Sequence, residues 1–224
     1  MLKRKILPLS LLILALSSTI FSTSFSVSAI SESQKRFYSN NNIIFYDPDG
    51  DSSNSSYAGS LKSGGMTYEE AVAWINTYKA SESRAAEWGI SQIGSCYSAF
   101  ANCAALPKYF ANRYLGLNVG ATGNGADVVN VFVSSYGFTY GGTSPRPYAI
   151  FSTSSGSMMC GSKKCGHTGL VLGVNEEEGV VYTAEAFCGS PLSSAKVKTY
   201  SIATMTSGAY TFAYSDNFLS SETE

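Results

Sequence analysis

The spacing of apolar residues changes once along this chain, near Gly141, and that change limits the possible folds more than any other feature. Before it, apolar residues recur at helical spacing, as in MTYEEAVAWINTYKA, where Thr67 and Glu70 also form a capping box. After it come short segments rich in β-branched and aromatic residues, separated by turn residues: RPYAIFST, HTGLVLGV, GVVYTAEAF, AKVKTYSIA and AYTFAY. Helices followed by strands predict an α+β domain, with N-terminal helices packed on a C-terminal antiparallel sheet.

Further helical stretches are predicted before Gly141. Their predicted extents are Ser83 to Trp88, Cys103 to a stop at Gly116, and Ala126 to Ser134. If Cys103 begins the second of these helices, Pro107 lies one turn inside it and removes a backbone hydrogen bond. We therefore expect an irregular first turn in that helix.

The N-terminal residues have the layout of a secretory signal peptide, which we assign to residues 1–29. Lys3, Arg4 and Lys5 precede an apolar run from Ile6 to Leu16, and small residues then lead to Ala29. The apolar run is shorter than the roughly 20 residues that a membrane-spanning helix requires. Cleavage after Ala29 removes three basic residues and keeps all 16 acidic ones. The mature chain then has more acidic than basic residues, so its charge does not indicate binding to nucleic acid. The sequence predicts a secreted protein.

Residues 30–65 are predicted to form a flexible linker, and residues 66–224 a single domain. From Pro48 to Gly65 the sequence consists mostly of Ser, Asn and Gly. Asp47, Asp49 and Asp51 in this region suggest a calcium loop, but the glycine and the final acid of an EF-hand are missing. A solvated linker is the favoured interpretation. The remaining residues are enough to bury one core.

The chain has an odd number of cysteines. Thiols of exported proteins tend to pair, and five cannot all pair within one chain, so at least one thiol is left over. Cys160 and Cys165 flank a short loop and are the easiest pair to join. One histidine and no Cys-x2-Cys motif make a zinc site a poor alternative. The free thiol is then Cys96, Cys103 or Cys188.

His167 is the only histidine of the chain, and it precedes a predicted strand that NEEEG connects to the next one. In an antiparallel hairpin, a three-residue loop places Glu185 directly opposite His167. A five-residue loop makes the two residues diagonal neighbours on the same face. A two- or four-residue loop puts them on opposite faces. A carboxylate beside an imidazole fixes its tautomer and stabilises its protonated form.

Cys103 is the favoured nucleophile to accompany this pair. A thiolate at a helix N-terminus is stabilised by the partial positive charge there, and a nearby imidazolium adds to the effect. Cys96 is the alternative, because GSCY loosely resembles a papain-type cysteine signature. If Cys103 is free, Cys96 and Cys188 are left to pair. That disulfide would tie the loop before the helix to the segment just after Glu185.

Four features in this order resemble a CHAP domain: Cys103 at a helix start followed by YFANRY, then GNGADVV, GHTGLVLGV and YTAEAF. This family comprises papain-like cysteine- and histidine-dependent amidohydrolases and peptidases, and the resemblance spans roughly Thr67 to Tyr214. It implies Cys103 as nucleophile, His167 as base and Glu185 as orienting acid. It also implies a peptidoglycan hydrolase, an amidase or endopeptidase, that acts at the cell wall as a monomer without a metal or organic cofactor.

Two positions depart from the family pattern. Asn102 stands where many members have Gln, and we expect it to contribute to an oxyanion hole together with backbone N–H groups at the helix start. Phe187 stands where an Asn is often found.

Two alternatives remain open. The first is an inactive, disulfide-bonded module that binds cell walls, and the second is a transpeptidase that passes the acyl group to an amine.

Overall fold

The computed structural model describes residue 61 and residues 64–154, 159–160 and 163–215, with no side-chain description for residues 159, 160, 163 and 164. The predicted signal peptide, most of the predicted linker with its three aspartates, and the last nine residues of the chain lie outside this part. None of the helices in the described ranges combines the length and apolarity needed to cross a bilayer.

The helices precede most of the sheet, as the sequence predicts. In the described part of the chain, the α-helices are α1 (Tyr68–Ala80), α2 (Ala105–Tyr114), α3 (Val128–Tyr136) and α4 (Ile202–Met205), and 3₁₀ helices span Ser81–Trp88 and Leu192–Ser194. The predicted capping box begins α1: Thr67 Oγ1 accepts from the Glu70 N–H, and Glu70 Oε2 accepts from the Thr67 N–H. Two orphan N–H groups are thereby satisfied at the start of the domain.

The strands form one large antiparallel sheet and one small hairpin. Their bounds are β1 (Thr139–Gly142), β2 (Ile150–Thr153), β3 (Met159–Cys160), β4 (Lys163–Lys164), β5 (His167–Asn175), β6 (Val180–Glu185), β7 (Lys196–Ser201) and β8 (Tyr210–Tyr214). Six of them pair in the order β1-β8-β2-β5-β6-β7, and β3 pairs with β4. The fold class is α+β. The sequence did not predict β1, whose two glycines disfavour a strand, or the small hairpin.

The sheet separates two apolar clusters. On one face, sheet residues such as Leu170 and Leu172 pack against buried residues of α1, α2 and α3. On the other face, Phe151, Val171 and Phe212 pack with buried Met205 of α4. Because successive residues of a strand point to opposite faces, the continuous apolar run of β5 serves both clusters. This strand, which begins with His167, is therefore among the most firmly held parts of the domain.

An aromatic cluster holds the loop that leads to Cys103. Tyr78 of α1 is fully buried, and its ring stacks on Phe100 with a centroid separation of 4.5 Å. The Tyr78 hydroxyl donates to the Phe100 carbonyl oxygen over 2.8 Å. Tyr109 of α2 meets both rings edge to face. Stacked and edge-to-face rings are the favoured aromatic geometries, so this cluster fixes the loop against α1 and α2.

Candidate active site

Cys103 lies just before α2, in a turn rather than in the helix. The helix starts at Ala105 with Ala104 as its N-cap, so Pro107 is its third residue. The first-turn N–H groups of a helix have no intrahelical partner, and a proline there costs no helical hydrogen bond. The expectation of a helix that begins at Cys103 with an irregular first turn is corrected accordingly. The helix simply begins two residues later, which accommodates Pro107.

Asn102 fixes the turn that carries Cys103. Its Oδ1 accepts from the Ala105 N–H over 2.9 Å, and its Nδ2 donates to the Ala99 carbonyl oxygen over 2.7 Å. The Asn102 side chain is buried, and its bond to Ala105 is shielded from water. The asparagine thus satisfies one orphan donor of α2 and closes the turn on the preceding loop. Its part in an oxyanion hole stays a prediction.

The cysteines divide as the odd count indicates. Cys96 and Cys188 form a disulfide with a Cα–Cα distance of 4.6 Å, whereas Cys103 is free and partly exposed. Cys165 is also disulfide-bonded. Its predicted partner, Cys160, has a side chain outside the described part. Cys96 is thereby removed as a candidate nucleophile. No group of three or more His, Cys, Asp or Glu in the described ranges is placed to hold a metal ion.

A β-bulge brings His167 and Glu185 to the same face of the sheet. The turn between β5 and β6 spans residues 176–179, an even length that by itself would place the two side chains on opposite faces. The register shifts at Leu172, between the pair Gly173↔Tyr182 and the pair Val171↔Thr183. One extra residue on β5 restores the parity, and His167 becomes the diagonal neighbour of Glu185. His167 Nε2 lies 2.8 Å from Glu185 Oε2.

The end of the predicted linker covers this bulge. Gly65 forms an isolated bridge with Gly173, and the Met66 N–H donates to the Leu172 carbonyl oxygen over 2.9 Å. A Cβ on Gly173 would lie only 2.1 Å from the Met66 carbonyl oxygen, so glycine is required for this close approach. Leu61, also from the predicted linker, packs against the larger apolar cluster. The bulge therefore has a hydrogen-bond partner from outside the sheet, which stabilises the register of β5.

Glu185 is fully buried, accepts three hydrogen bonds and forms an ion pair with Lys198. Oε2 accepts from His167 Nε2 at 2.8 Å and lies 2.9 Å from Lys198 Nζ. Oε1 accepts from the hydroxyls of Thr183 at 2.9 Å and Tyr200 at 2.8 Å. Burial raises the pKa of Glu185, but the hydrogen bonds and positive charges of His167 and Lys198 outweigh it and lower the pKa to about 2. The carboxylate is therefore ionised and fixed in orientation.

His167 is nearly buried, and its two ring nitrogens have different surroundings. Nε2 is bound to Glu185, while Nδ1 is buried and has no hydrogen-bond partner among the described residues. Burial lowers the pKa of His167, but Cys103 and Glu185 together raise it to about 9. Since Glu185 occupies Nε2, Nδ1 is the nitrogen left to face the Cys103 thiol. The imidazole is protonated at neutral pH.

Aromatic rings enclose the imidazole. The ring of Phe187 stacks on it almost in parallel, with centroids 5.0 Å apart and an interplanar angle of 3°. Phe151 meets it edge to face at 6.1 Å. Ring stacking by Phe187 therefore confines the imidazole on that side.

Two glycines allow the chain to approach the start of β5. A Cβ on Gly125 would lie 2.8 Å from the His167 Cα, and one on Gly166 would lie 2.3 Å from the Thr153 carbonyl oxygen. Gly166 also has φ +66°, which disfavours other residues. Ser152 joins this turn to the sheet by donating to the Gly125 carbonyl oxygen over 2.7 Å. The segment GNGADVV therefore sets the position of His167.

Sequence reasoning missed Lys198, Tyr200 and Thr183 as partners of Glu185. The alternation in KVKTY does place Lys198 and Tyr200 on one face of β7. Their approach to Glu185 depends on the β6–β7 register, in which Glu185 pairs with Lys196. That register follows from an irregular connection through a short 3₁₀ helix, for which the sequence carries no reliable signal.

Comparison with protein-family models gives no match, and comparison with curated proteins gives none either. The resemblance to CHAP domains therefore stays a prediction. Among solved structures, the chain is similar to a crystal structure of N-acetylmuramoyl-L-alanine amidase from Staphylococcus aureus, with 13% identity and a TM-score of 0.38. The match covers 52% of this chain and 31% of the amidase chain, so it spans about a third of that protein. A likeness of this extent does not establish a shared function.

Proposed function

We propose that this protein is a cysteine hydrolase that cleaves amide bonds through a thioester, with Cys103, His167 and Glu185 as its catalytic residues. One observation carries the proposal. Against the effect of burial, the free thiol of Cys103 raises the pKa of a buried imidazole, and Nε2 of that imidazole lies 2.8 Å from a fully buried carboxylate. A nucleophile, a base and a group that orients the base are the elements of covalent acyl transfer.

In the first half of the reaction, the Cys103 thiolate attacks the amide carbonyl carbon. The carbon–nitrogen bond breaks as His167 gives its Nδ1 proton to the leaving amine, and the acyl group remains on sulfur as a thioester. In the second half, neutral His167 takes a proton from water, and the hydroxide attacks the thioester. The carbon–sulfur bond breaks, which releases the carboxylic acid and restores the thiolate and imidazolium. Glu185 holds the Nε2 hydrogen throughout and stays ionised.

The oxyanion of the tetrahedral intermediate requires donors near Cys103. The Ala105 N–H is bound by Asn102. We assign the Cys103 backbone N–H to this role, because no hydrogen bond from it occurs among the described residues. The second donor is the remaining Nδ2 hydrogen of Asn102, since Ala99 takes only one of the two.

The substrate class is the amide of peptidoglycan, either the bond between muramic acid and the stem peptide or a peptide bond of the stem or cross-bridge. The support is the motif order around Cys103, His167 and Glu185, which resembles a CHAP domain, together with the predicted signal peptide. On this proposal the protein is secreted and acts at the cell wall as a monomer.

Digestion of purified cell walls tests the proposal. Wild type should lower the turbidity of a wall suspension, Cys103→Ala should not, and mass spectrometry of the digest should show new amines that identify the bond cut. Glu177→Gln, in the exposed turn between β5 and β6, is a matched control that should clear walls like wild type. Equal clearing by wild type and Cys103→Ala, or no clearing of several wall chemistries, would contradict hydrolysis and favour a binding module. An aminolysed product in the presence of added amine would indicate transpeptidation.

A further inference from the structure

Lys198 contacts both groups that hold the imidazole of His167. Its Nζ lies 2.9 Å from Glu185 Oε2, the same oxygen that binds His167 Nε2. Its Nζ also lies 4.8 Å from the centroid of Phe187, the ring that stacks on His167. A cation over an aromatic face is attracted by the negative charge density there. One ammonium group therefore engages the carboxylate and the aromatic ring at the same time.

The buried carboxylate of Glu185 lies between two cationic groups. The imidazolium of His167 contacts it from β5, and the ammonium group of Lys198 contacts it from β7. Glu185 has no exposed surface, and buried charge is tolerated only where it is paired. Lys198 supplies the second positive charge through a side chain that remains 32% exposed.

The other groups around Glu185 are neutral donors. Thr183 and Tyr200 both donate hydroxyl hydrogens to Oε1, and Lys198 Nζ in turn donates to the Tyr200 oxygen over 3.2 Å. The charge of Glu185 raises the pKa of Tyr200 further, beyond the effect of burial, so this hydroxyl stays neutral. Burial raises the pKa of Tyr210 and the charge of Glu185 raises it further, so this hydroxyl also stays neutral. Lys198 is thus the sole cation besides His167 that contacts the carboxylate within the described residues.

We propose that Lys198 is a positioning residue of the active site, which fixes Glu185 and Phe187 and through them the imidazole of His167. The inference deepens the proposed function and rests on it. Two cations that share one carboxylate oxygen repel each other. Lys198 therefore also limits how tightly His167 holds its proton, which favours release of that proton to the leaving amine.

The single histidine makes this proposal directly measurable. In protein produced without a histidine tag, one imidazole signal reports His167, and its titration is followed by NMR. Lys198→Met keeps the length of the apolar stem and removes the charge. We expect the titration midpoint of His167 to rise by roughly 0.5 to 1 pH unit. The ring resonances should also move, because Phe187 loses the contact that holds it over the imidazole.

Two further variants give the matched comparisons. Lys196→Met removes the same charge from the same face of β7, directly opposite Glu185 in the register, but Lys196 makes no ion pair with it in the described part of the chain. It should leave the His167 midpoint near that of wild type. Lys198→Arg keeps the charge and should restore the wild-type midpoint. A general loss of structure would instead shift the His167 midpoint in all three variants, with no difference between Lys196→Met and Lys198→Met and no rescue by arginine.

The outcomes separate this inference from the proposed function, because the titration does not require activity. A Lys198→Met midpoint equal to that of wild type, or one matched by Lys196→Met, would overturn the positioning role even if walls are cleared. A selective shift with rescue by arginine supports the role. If wild type then fails on every wall tested, only the proposed function falls. Should Lys198→Met fold poorly in a thermal melt, Lys198→Gln gives the same comparison.

Discussion

Replacing Glu185 with glutamine removes the counter-charge of His167 while keeping the size of the side chain. Glu185 Oε2 lies 2.8 Å from His167 Nε2, and the carboxylate has no exposed surface. A carboxamide oxygen there still accepts a hydrogen bond, but it carries no net charge, and the amide nitrogen donates instead of accepting. The buried imidazolium therefore loses one of its two stabilising partners, the other being Cys103, and we expect the pKa of His167 to fall.

The size of the effect follows from the geometry. Two unit charges about 4 Å apart interact with about 4 kcal/mol at an effective dielectric constant of about 20. One pKa unit corresponds to about 1.4 kcal/mol. Burial, the strongest influence, lowers the pKa of His167, and Cys103 continues to raise it. Dividing the two figures, we expect the pKa to fall from about 9 by about 3 units in Glu185→Gln. The rate of wall digestion should fall by about 10² to 10⁴.

NMR titration of the single histidine measures the pKa of His167, and the wall assay measures the rate of digestion. Glu177→Gln removes a carboxylate of the same type from the exposed turn between β5 and β6, so it should change neither. A midpoint of His167 that stays near that of wild type in Glu185→Gln, with wall clearing intact, would show that the carboxylate neither stabilises nor orients the imidazole. The assignment of Glu185 would then be wrong.

Three further perturbations test the fold around the site. The pKa of Glu185 is lowered from 4.5 to about 2, so the stability that its ionised form gives the fold is fully present above pH 4.5 and is lost as the pH falls through about 2. On acidification, the free energy of unfolding should therefore fall by about 3 kcal/mol more in wild type than in Glu185→Gln. The Cys96–Cys188 disulfide closes a sequence separation of 92 residues. The double alanine variant should lose about 4 kcal/mol in urea unfolding, and a loss below about 1 kcal/mol would contradict the expected chain-entropy effect. Gly166→Ala adds a Cβ that would lie 2.3 Å from a backbone oxygen, whereas Gly208 has a similar positive φ in open space. Gly166→Ala should lower the free energy of unfolding by about 1–3 kcal/mol more than Gly208→Ala, and it should displace the NMR resonances of His167. An equal loss of stability in the two variants would refute the close packing at Gly166.

Much of the fold could be predicted because local signals agree with tertiary packing. The capping box at Thr67 marks the start of α1, and the apolar runs mark β5 and β6. Counting thiols was equally informative. An odd number of cysteines with Cys103 free leaves Cys96 and Cys188 to pair, and the structure contains that disulfide.

The candidate site was less accessible to sequence reasoning because it depends on strand register. The juxtaposition of His167 and Glu185 was predicted from an odd loop length, but the turn is even and the bulge at Leu172 restores the parity. A bulge adds one residue without a distinctive sequence, although the nearby Gly173 allows the segment at Met66 to approach closely. The approach of Lys198 likewise depends on a cross-strand register that local patterns do not specify.

Capture of the acyl-enzyme tests the central claim most directly. Wild type mixed with soluble peptidoglycan fragments, quenched in acid within the first turnovers and digested with a protease, should yield one peptide whose mass includes the substrate acyl group, attached at Cys103. Glu185→Gln should accumulate less of it. Fragment hydrolysis that proceeds with no adduct on Cys103, or with an adduct on another residue, would contradict catalysis by this thiol.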